Sequence, residues 1–173
     1  MDEIKVVING VKYRVIPDEV ENVEDDERSK TGYERVEENE RYYCAGFFNN
    51  TDFDDEIGSE GDKHLYETAN YYSDEAIAEN NARADKLMRQ LRQWQALNDK
   101  PVDWTDPYTE KWHIMYSYDH ENLKPVSCFY MREFSTVYFS TKEKAEKATE
   151  VFKDDLTWYF TEYISRLDEP RIG

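Results

Sequence analysis

Between Ser73 and Pro101 apolar residues recur every three to four positions, at Ile77, Ala84, Leu87, Met88, Leu91, Trp94 and Leu97. That period predicts one long amphipathic helix whose apolar face must be covered by the rest of the chain. Ser73 is a good N-cap. Asp74 and Glu75 put negative charge in the first turn, where the helix dipole favours it. Asn98-Asp99-Lys100-Pro101 ends the helix, because proline disfavours helix at the residue before it. A second sustained period, Ala145, Ala148, Phe152, Leu156, Tyr159 and Tyr163, follows Ser140-x-x-Glu143, which reads as a capping box. Trp94, Phe152 and Tyr159 are expected in the core, and the last residues after Leu167 are expected to fray.

The strands are marked by turn chemistry. Asn9-Gly10 lies between the β-branched runs Ile4–Ile8 and Val11–Ile16, the strongest short hairpin signal, and Pro17 ends the second strand. Residues 33–48 suggest a second pair, with Val36 before a turn at Glu37–Asn39 and Tyr42–Phe48 after it. Residues 112–118, 126–131 and 134–139 read as a three-stranded meander, turning at His120–Lys124 and at Arg132-Glu133. The expected class is α+β, a mainly antiparallel sheet with two long helices. Residues 71–79 and 138–146 match at four of nine positions at an offset of 67, which suggests an internal strands–helix duplication. The expected division is a β-rich part at 1–66 with acidic loops, the first helix within 67–101, and meander plus second helix in 102–173. These form one compact domain or two small lobes.

Acids outnumber bases 39 to 22, for a net charge of −17. Aromatics reach 15%, which argues that most of the chain folds despite its charge. The charge is concentrated: residues 18–62 hold 17 acids and four bases, a net −13, and the other 128 residues carry only −4. Such a balance disfavours direct contact with nucleic acid or an anionic membrane, since phosphates need Lys and Arg. No apolar run is long enough to span a bilayer, and the first residues lack the apolar stretch of a signal peptide. Cys44 and Cys128 form no CxxC pair, so a reducing, cytoplasmic setting is expected.

Carboxylates set close together, with aromatics beside them, can imitate a phosphate track and its bases. The candidates are Asp18, Glu19, Glu21, Glu24, Asp25, Asp26 and Glu27, then Asp52, Asp54, Asp55 and Glu56, with Tyr33, Phe48 and Phe53 as anchors. The plainer alternative is a solvated acidic connection that keeps the chain soluble. In the other direction, Arg83, Lys86, Arg89 and Arg92 recur at intervals of three and form a basic strip on the first helix. That strip is a candidate for nucleic acid, or else an ordinary polar helix face.

Catalytic motifs are missing. Asp52, Asp54 and Glu56 begin like a calcium loop, but Ile57 and Lys63 stand where Gly and Glu are needed. His64, His113 and His120 are scattered, and six glycines build no phosphate loop, dinucleotide fingerprint or nucleophile elbow. Cys44 sits in an apolar strand context that makes a thiol inert. The expectation is a non-enzymatic protein without cofactor or metal.

Several blocks recur in a familiar order: Ile8–Tyr13 (INGVKY), Tyr33–Tyr43 (YERVEENERYY), Ala69 onward (ANYYSDEAIAE) into the helix ending near Leu97, WHIMYSYDHE from Trp112, and Thr136–Ala148 (TVYFSTKEKAEKA). In these the chain resembles the small acidic accessory proteins of phages and prophages of Gram-positive bacteria. Some proteins of that style are similar to anti-CRISPR inhibitors, which bind a CRISPR effector nuclease and block its DNA-binding surface. The resemblance covers most of the chain except residues 18–30 and 50–65. Its motifs are structural, and it carries over no catalytic residue. It implies an inhibitor acting in the cytoplasm of an infected host cell, whose acidic segments meet a basic nucleic-acid-binding host protein. The alternatives are a DNA-binding protein using the Arg83–Arg92 strip, or a phage assembly or structural component.

Overall fold

The structure, a computed structural model, describes residues 4–8, 11–16, 19–22, 31–46 and 50–164, the first three stretches as backbone strands. Those three, β1 (Ile4–Ile8), β2 (Val11–Ile16) and β3 (Glu19–Asn22), form an antiparallel sheet in the order β1-β2-β3. Ile8 pairs with Val11, so the Asn9-Gly10 link joins β1 to β2 as the sequence predicts. The acidic stretch expected as a loop begins instead as strand, with Ile16 opposite Glu19 and Arg14 opposite Glu21.

The next hairpin pairs β4 (Arg41–Ala45) with β5 (Thr51–Asp55), not with the residues around Val36. The expected partner is occupied elsewhere. The Thr31 and Gly32 amides donate to the Glu34 carboxylate at 2.6 and 2.8 Å, and the Val36 amide donates to the Tyr71 hydroxyl at 3.3 Å. Glu37–Glu40 then closes a tight turn through Glu40 N–H to Glu37 carbonyl at 3.0 Å, with Asn39 left-handed at φ 71°. A short helix unforeseen in the sequence, α1 (Glu60–Glu67), follows. Its capping box uses Asp in place of Glu: Ser59 accepts from the Asp62 amide at 3.2 Å, and Asp62 accepts from the Ser59 amide at 2.8 Å.

The predicted long helix is α2 (Glu75–Asn98), of 24 residues. Its N-cap is Asp74, whose carboxylate accepts from the Ile77 amide at 3.0 Å. Ser73 is displaced from that role because its hydroxyl donates to the Glu34 carboxylate at 3.4 Å and its amide to the Gly32 carbonyl at 2.9 Å. Leu97, placed on the apolar face by period, is 77% exposed.

After α2, β6 (Lys111–Ser117) pairs with β7 (Asn122–Cys128). Their turn comes earlier than expected, with Glu121 left-handed at φ 49°. The third meander strand is reduced to one bridge, in which Trp112 and Phe139 exchange backbone bonds of 3.0 and 2.7 Å. Ser135, left-handed at φ 58°, breaks the extended run before it. The second long period folds as α3 (Lys142–Val151), α4 (Lys153–Trp158) and a final π-helical turn, Tyr159–Tyr163. Thr141 is the N-cap of α3, because Ser140 is spent on Asp99.

The fold is α+β with antiparallel pairing, its strands divided among three small sheets in the described residues. Two packed groups form the C-terminal core. Leu87, Leu91 and Leu156 make one, and Phe139, Ala145 and Ala148 the other, with Ile114 and Val137 touching both. Trp94, Phe152 and Tyr159 pack against these groups half-buried, as expected of core residues at its margin. The two junctions resembling each other in sequence also match in geometry at the same offset. Tyr72 bridges Tyr43 just as Phe139 bridges Trp112. Asp74 and Thr141 are the caps, and helix starts at Glu75 and Lys142.

Candidate functional site

Antiparallel partners share a face of the hairpin, so the β4–β5 register decides where the acids point. Asp52 and Asp54 lie beside Cys44 and Tyr42, while Phe53 and Asp55 lie beside Tyr43 and Arg41. Burial, reinforced by the Asp52 and Asp54 charges, pushes the Cys44 thiol up, in keeping with an inert cysteine. Asp52, Phe53, Asp54 and Asp55 are all exposed, and Phe53 reaches 60%. The Arg41 guanidinium covers the Phe53 ring at 4.1 Å and stands 4.0 Å from Asp55. On its outer side β5 pairs with no described strand, since β4 lies between it and Tyr72. The result is an open strand edge carrying three carboxylates and one aromatic ring.

Three exposed acids that the sequence did not single out extend this face. Glu37, Glu38 and Glu40 sit on the turn before β4, and backbone bonds tie that turn to Glu56: Asn39 N–H to Glu56 carbonyl at 2.7 Å, Glu56 N–H to Glu40 carbonyl at 2.9 Å.

Glu56 itself belongs inside. It is 4% exposed, and its carboxylate accepts from Arg35 at 2.8 Å through both oxygens, from the Tyr71 hydroxyl at 2.9 Å and from the Gly58 amide at 2.8 Å. The Arg35 bonds hold it below the usual carboxylate range against the opposing effect of burial. Asp62, also buried, accepts from the Tyr42 hydroxyl at 2.9 Å. The Tyr42 and Tyr71 rings stack at 4.1 Å. This part of the fold therefore has at its core a stacked tyrosine pair whose hydroxyls end on carboxylates. A charge count alone does not separate Glu56 and Asp62 from the exposed acids around them.

Tyr33 is only part free: its ring meets Tyr72 edge-on at 5.4 Å, and its hydroxyl accepts from Asn81 at 2.8 Å. Glu19 and Glu21 are placed on β3. Asp18, Glu24, Asp25, Asp26, Glu27 and Phe48 lie outside the described residues.

The basic strip does not form one face. Arg83 and Arg92 are nine residues apart, about two and a half turns, and so project from opposite sides of α2. Arg83 is engaged, paired with Asp155 at 2.9 Å and lying 3.9 Å over the Trp158 ring. Lys86 and Arg89 are exposed between them.

A largely apolar cavity of about 430 Å³ opens between α2, β6 and the C-terminal helices. His113 is among its lining residues, 5% exposed, with neither ring nitrogen hydrogen-bonded in the described structure. Among the described residues no three His, Cys, Asp or Glu side chains converge to hold a metal ion, and no helix is long and apolar enough to cross a membrane. Comparison of the chain with protein-family models, with curated proteins and with solved structures finds no match.

Proposed function

We propose that this chain is a non-enzymatic inhibitor of phage origin that binds a basic nucleic-acid-binding protein of its host, a CRISPR effector nuclease in the first instance, and occupies the groove where nucleic acid would lie. One observation supports this above others: Asp52, Phe53, Asp54 and Asp55 are all exposed on β5, Asp52 and Asp54 on one face of the hairpin and Phe53 with Asp55 on the other, along an edge that pairs with no described strand. The strand fixes the spacing of these carboxylates, and the turn acids Glu37, Glu38 and Glu40, on a turn bonded to the Glu56 backbone, add to the exposed acid there. A preformed acidic surface of this kind speeds encounter with a cationic groove, while a central aromatic supplies affinity. Glu56, by contrast, is part of the scaffold in this account.

The test is capture of partners from host lysate by the wild type and by Asp52→Asn/Asp54→Asn/Asp55→Asn at about 0.15 M salt. Capture of a nucleic-acid-binding enzyme by the wild type, lost in the triple variant and competed by DNA, is the expected result. Equal capture by both proteins sinks the role of the β5 edge. A shift of duplex DNA by the protein alone, lost in Arg89→Ala, would replace this reading with direct DNA binding.

A further inference from the structure

Arg92 on α2 and Arg132 in the segment after β7 both line one surface cleft of about 380 Å³, together with Gln95, Trp104, Thr136 and Tyr138. A shallower continuation shares both arginines and Thr136, and adds Glu133. The two guanidiniums come from positions 40 residues apart, so the tertiary fold, not local sequence, brings them to one cleft.

One of the two is held against an aromatic wall of the cleft. The Arg132 guanidinium lies 5.2 Å over the Trp104 ring, and Tyr138 meets that indole edge-on at 4.9 Å. Among the described residues neither Arg92 nor Arg132 forms an ion pair, although the chain has 39 acids to offer. Two like charges in one cleft repel, and an anion shared between them removes that cost. A cation–π contact of this kind uses the charge of the guanidinium and not its N–H groups, and those match an oxyanion bidentately. A carboxylate fills one such fork. A phosphoryl group, with more oxygens and more charge, can serve two.

We propose that Arg92 and Arg132 form a phosphate-binding clamp, with Trp104 as the platform that positions Arg132. The phosphate comes either from a free nucleotide or from the backbone of a single-stranded nucleic acid. The clamp lies apart from the β5 edge and does not depend on the reading given to that edge.

The test is calorimetric titration of the full chain at low salt with pyrophosphate, with AMP and with a short oligothymidylate. Saturable binding is expected, weakened about tenfold by Arg92→Gln or Arg132→Gln and lost in the double variant. Lys86→Gln, an exposed cation on the same helix, should leave affinity unchanged. Arg92→Lys and Arg132→Lys keep the charge but not the planar fork, and should still weaken binding. An oligonucleotide bound more tightly than AMP, and lost in the same variants, assigns the phosphate to a nucleic acid; parity with AMP assigns it to a nucleotide. No saturable binding of any probe, a loss in Lys86→Gln equal to that in the arginine variants, or full affinity in the lysine variants overturns the proposal.

Discussion

The Arg35 guanidinium donates twice to the Glu56 carboxylate, each bond 2.8 Å long, across 21 residues of sequence. The pair is asymmetric, with the Arg35 side chain 36% exposed and that of Glu56 only 5%. Removing the guanidinium leaves a buried carboxylate with its Tyr71 and Gly58 donors alone. Arg35→Met is therefore expected to lower unfolding free energy by about 2–3 kcal/mol, and Glu56→Gln by a similar amount. The double variant should cost less than the sum, because either change alone breaks the same contact. Urea unfolding of the three proteins measures this, and strict additivity would contradict the coupling.

Acid should weaken the same region. Arg35 holds Glu56 below its ordinary 4.5. Burial pushes Asp62 up, but bonds from the Ser59 amide, the Tyr42 hydroxyl and the Ile57 amide outweigh it and set the carboxyl at about 2, against an ordinary 3.8. Both groups bind protons more weakly folded than unfolded. Their contribution is thus complete above pH 4.5 and is lost as pH falls toward 2. Denaturation midpoints measured across that window should fall with pH, and Glu56→Gln should flatten the upper part of the slope.

Gly32 is irreplaceable for two reasons. Its φ of 81° is a conformation that side-chain-bearing residues rarely adopt, and an added Cβ would lie 2.2 Å from Ile77 Cδ1. Its carbonyl also receives the Ser73 amide at the start of α2. Gly32→Ala is expected to cost about 1–3 kcal/mol, chiefly from backbone strain, with a smaller part from displacing the movable end of Ile77. Pairing it with Ile77→Ala should recover the steric part and leave the conformational part, which thermal unfolding can resolve.

His113 lies against Tyr138, ring centres 5.3 Å apart, with both nitrogens unpartnered in the described structure. Burial pushes it below its ordinary 6.5, outweighing the upward pull of Glu133. Its neutral form is therefore the one that folds, and stability should drop as pH falls below about 6.5. Replacing it by an apolar ring, His113→Phe, should raise stability at neutral pH by about 1 kcal/mol and remove that part of the pH dependence. An unchanged slope between pH 7 and 5 would show that the imidazole finds a partner in solution.

Local signals carried much of the fold. Asn9-Gly10, the long apolar period before Pro101 and the repeated aromatic-Ser junctions each specify a conformation through a few neighbouring residues, and each is present. The misassignments arose where a long-range partner claimed the group that would have served locally. Ser73 and Ser140 are good caps by type, yet Glu34 and Asp99 take their hydroxyls, and the next residue caps instead. Val36 has strand character, but its amide is used by Tyr71, 35 residues away. For the candidate site, charge density located the β5 edge but could not assign Glu56 inward and Asp55 outward. The deciding factor is Arg35, which meets Glu56 across 21 residues of sequence. The pairing of Arg92 with Arg132 in one cleft left no trace in spacing.

Asp99 ends α2 and also receives the Ser140 amide at 2.7 Å and the Ser140 hydroxyl, while the other end of α2 rests on Gly32 through Ser73. Each hairpin-to-helix junction is thus fastened to an end of the same helix. Fraying of either junction frees a terminus of α2 and weakens what the opposite half is anchored to. The two halves, alike in their junctions, are in this way made one cooperative unit, and slow amide exchange along α2 should report the stability of both halves together and not of one alone.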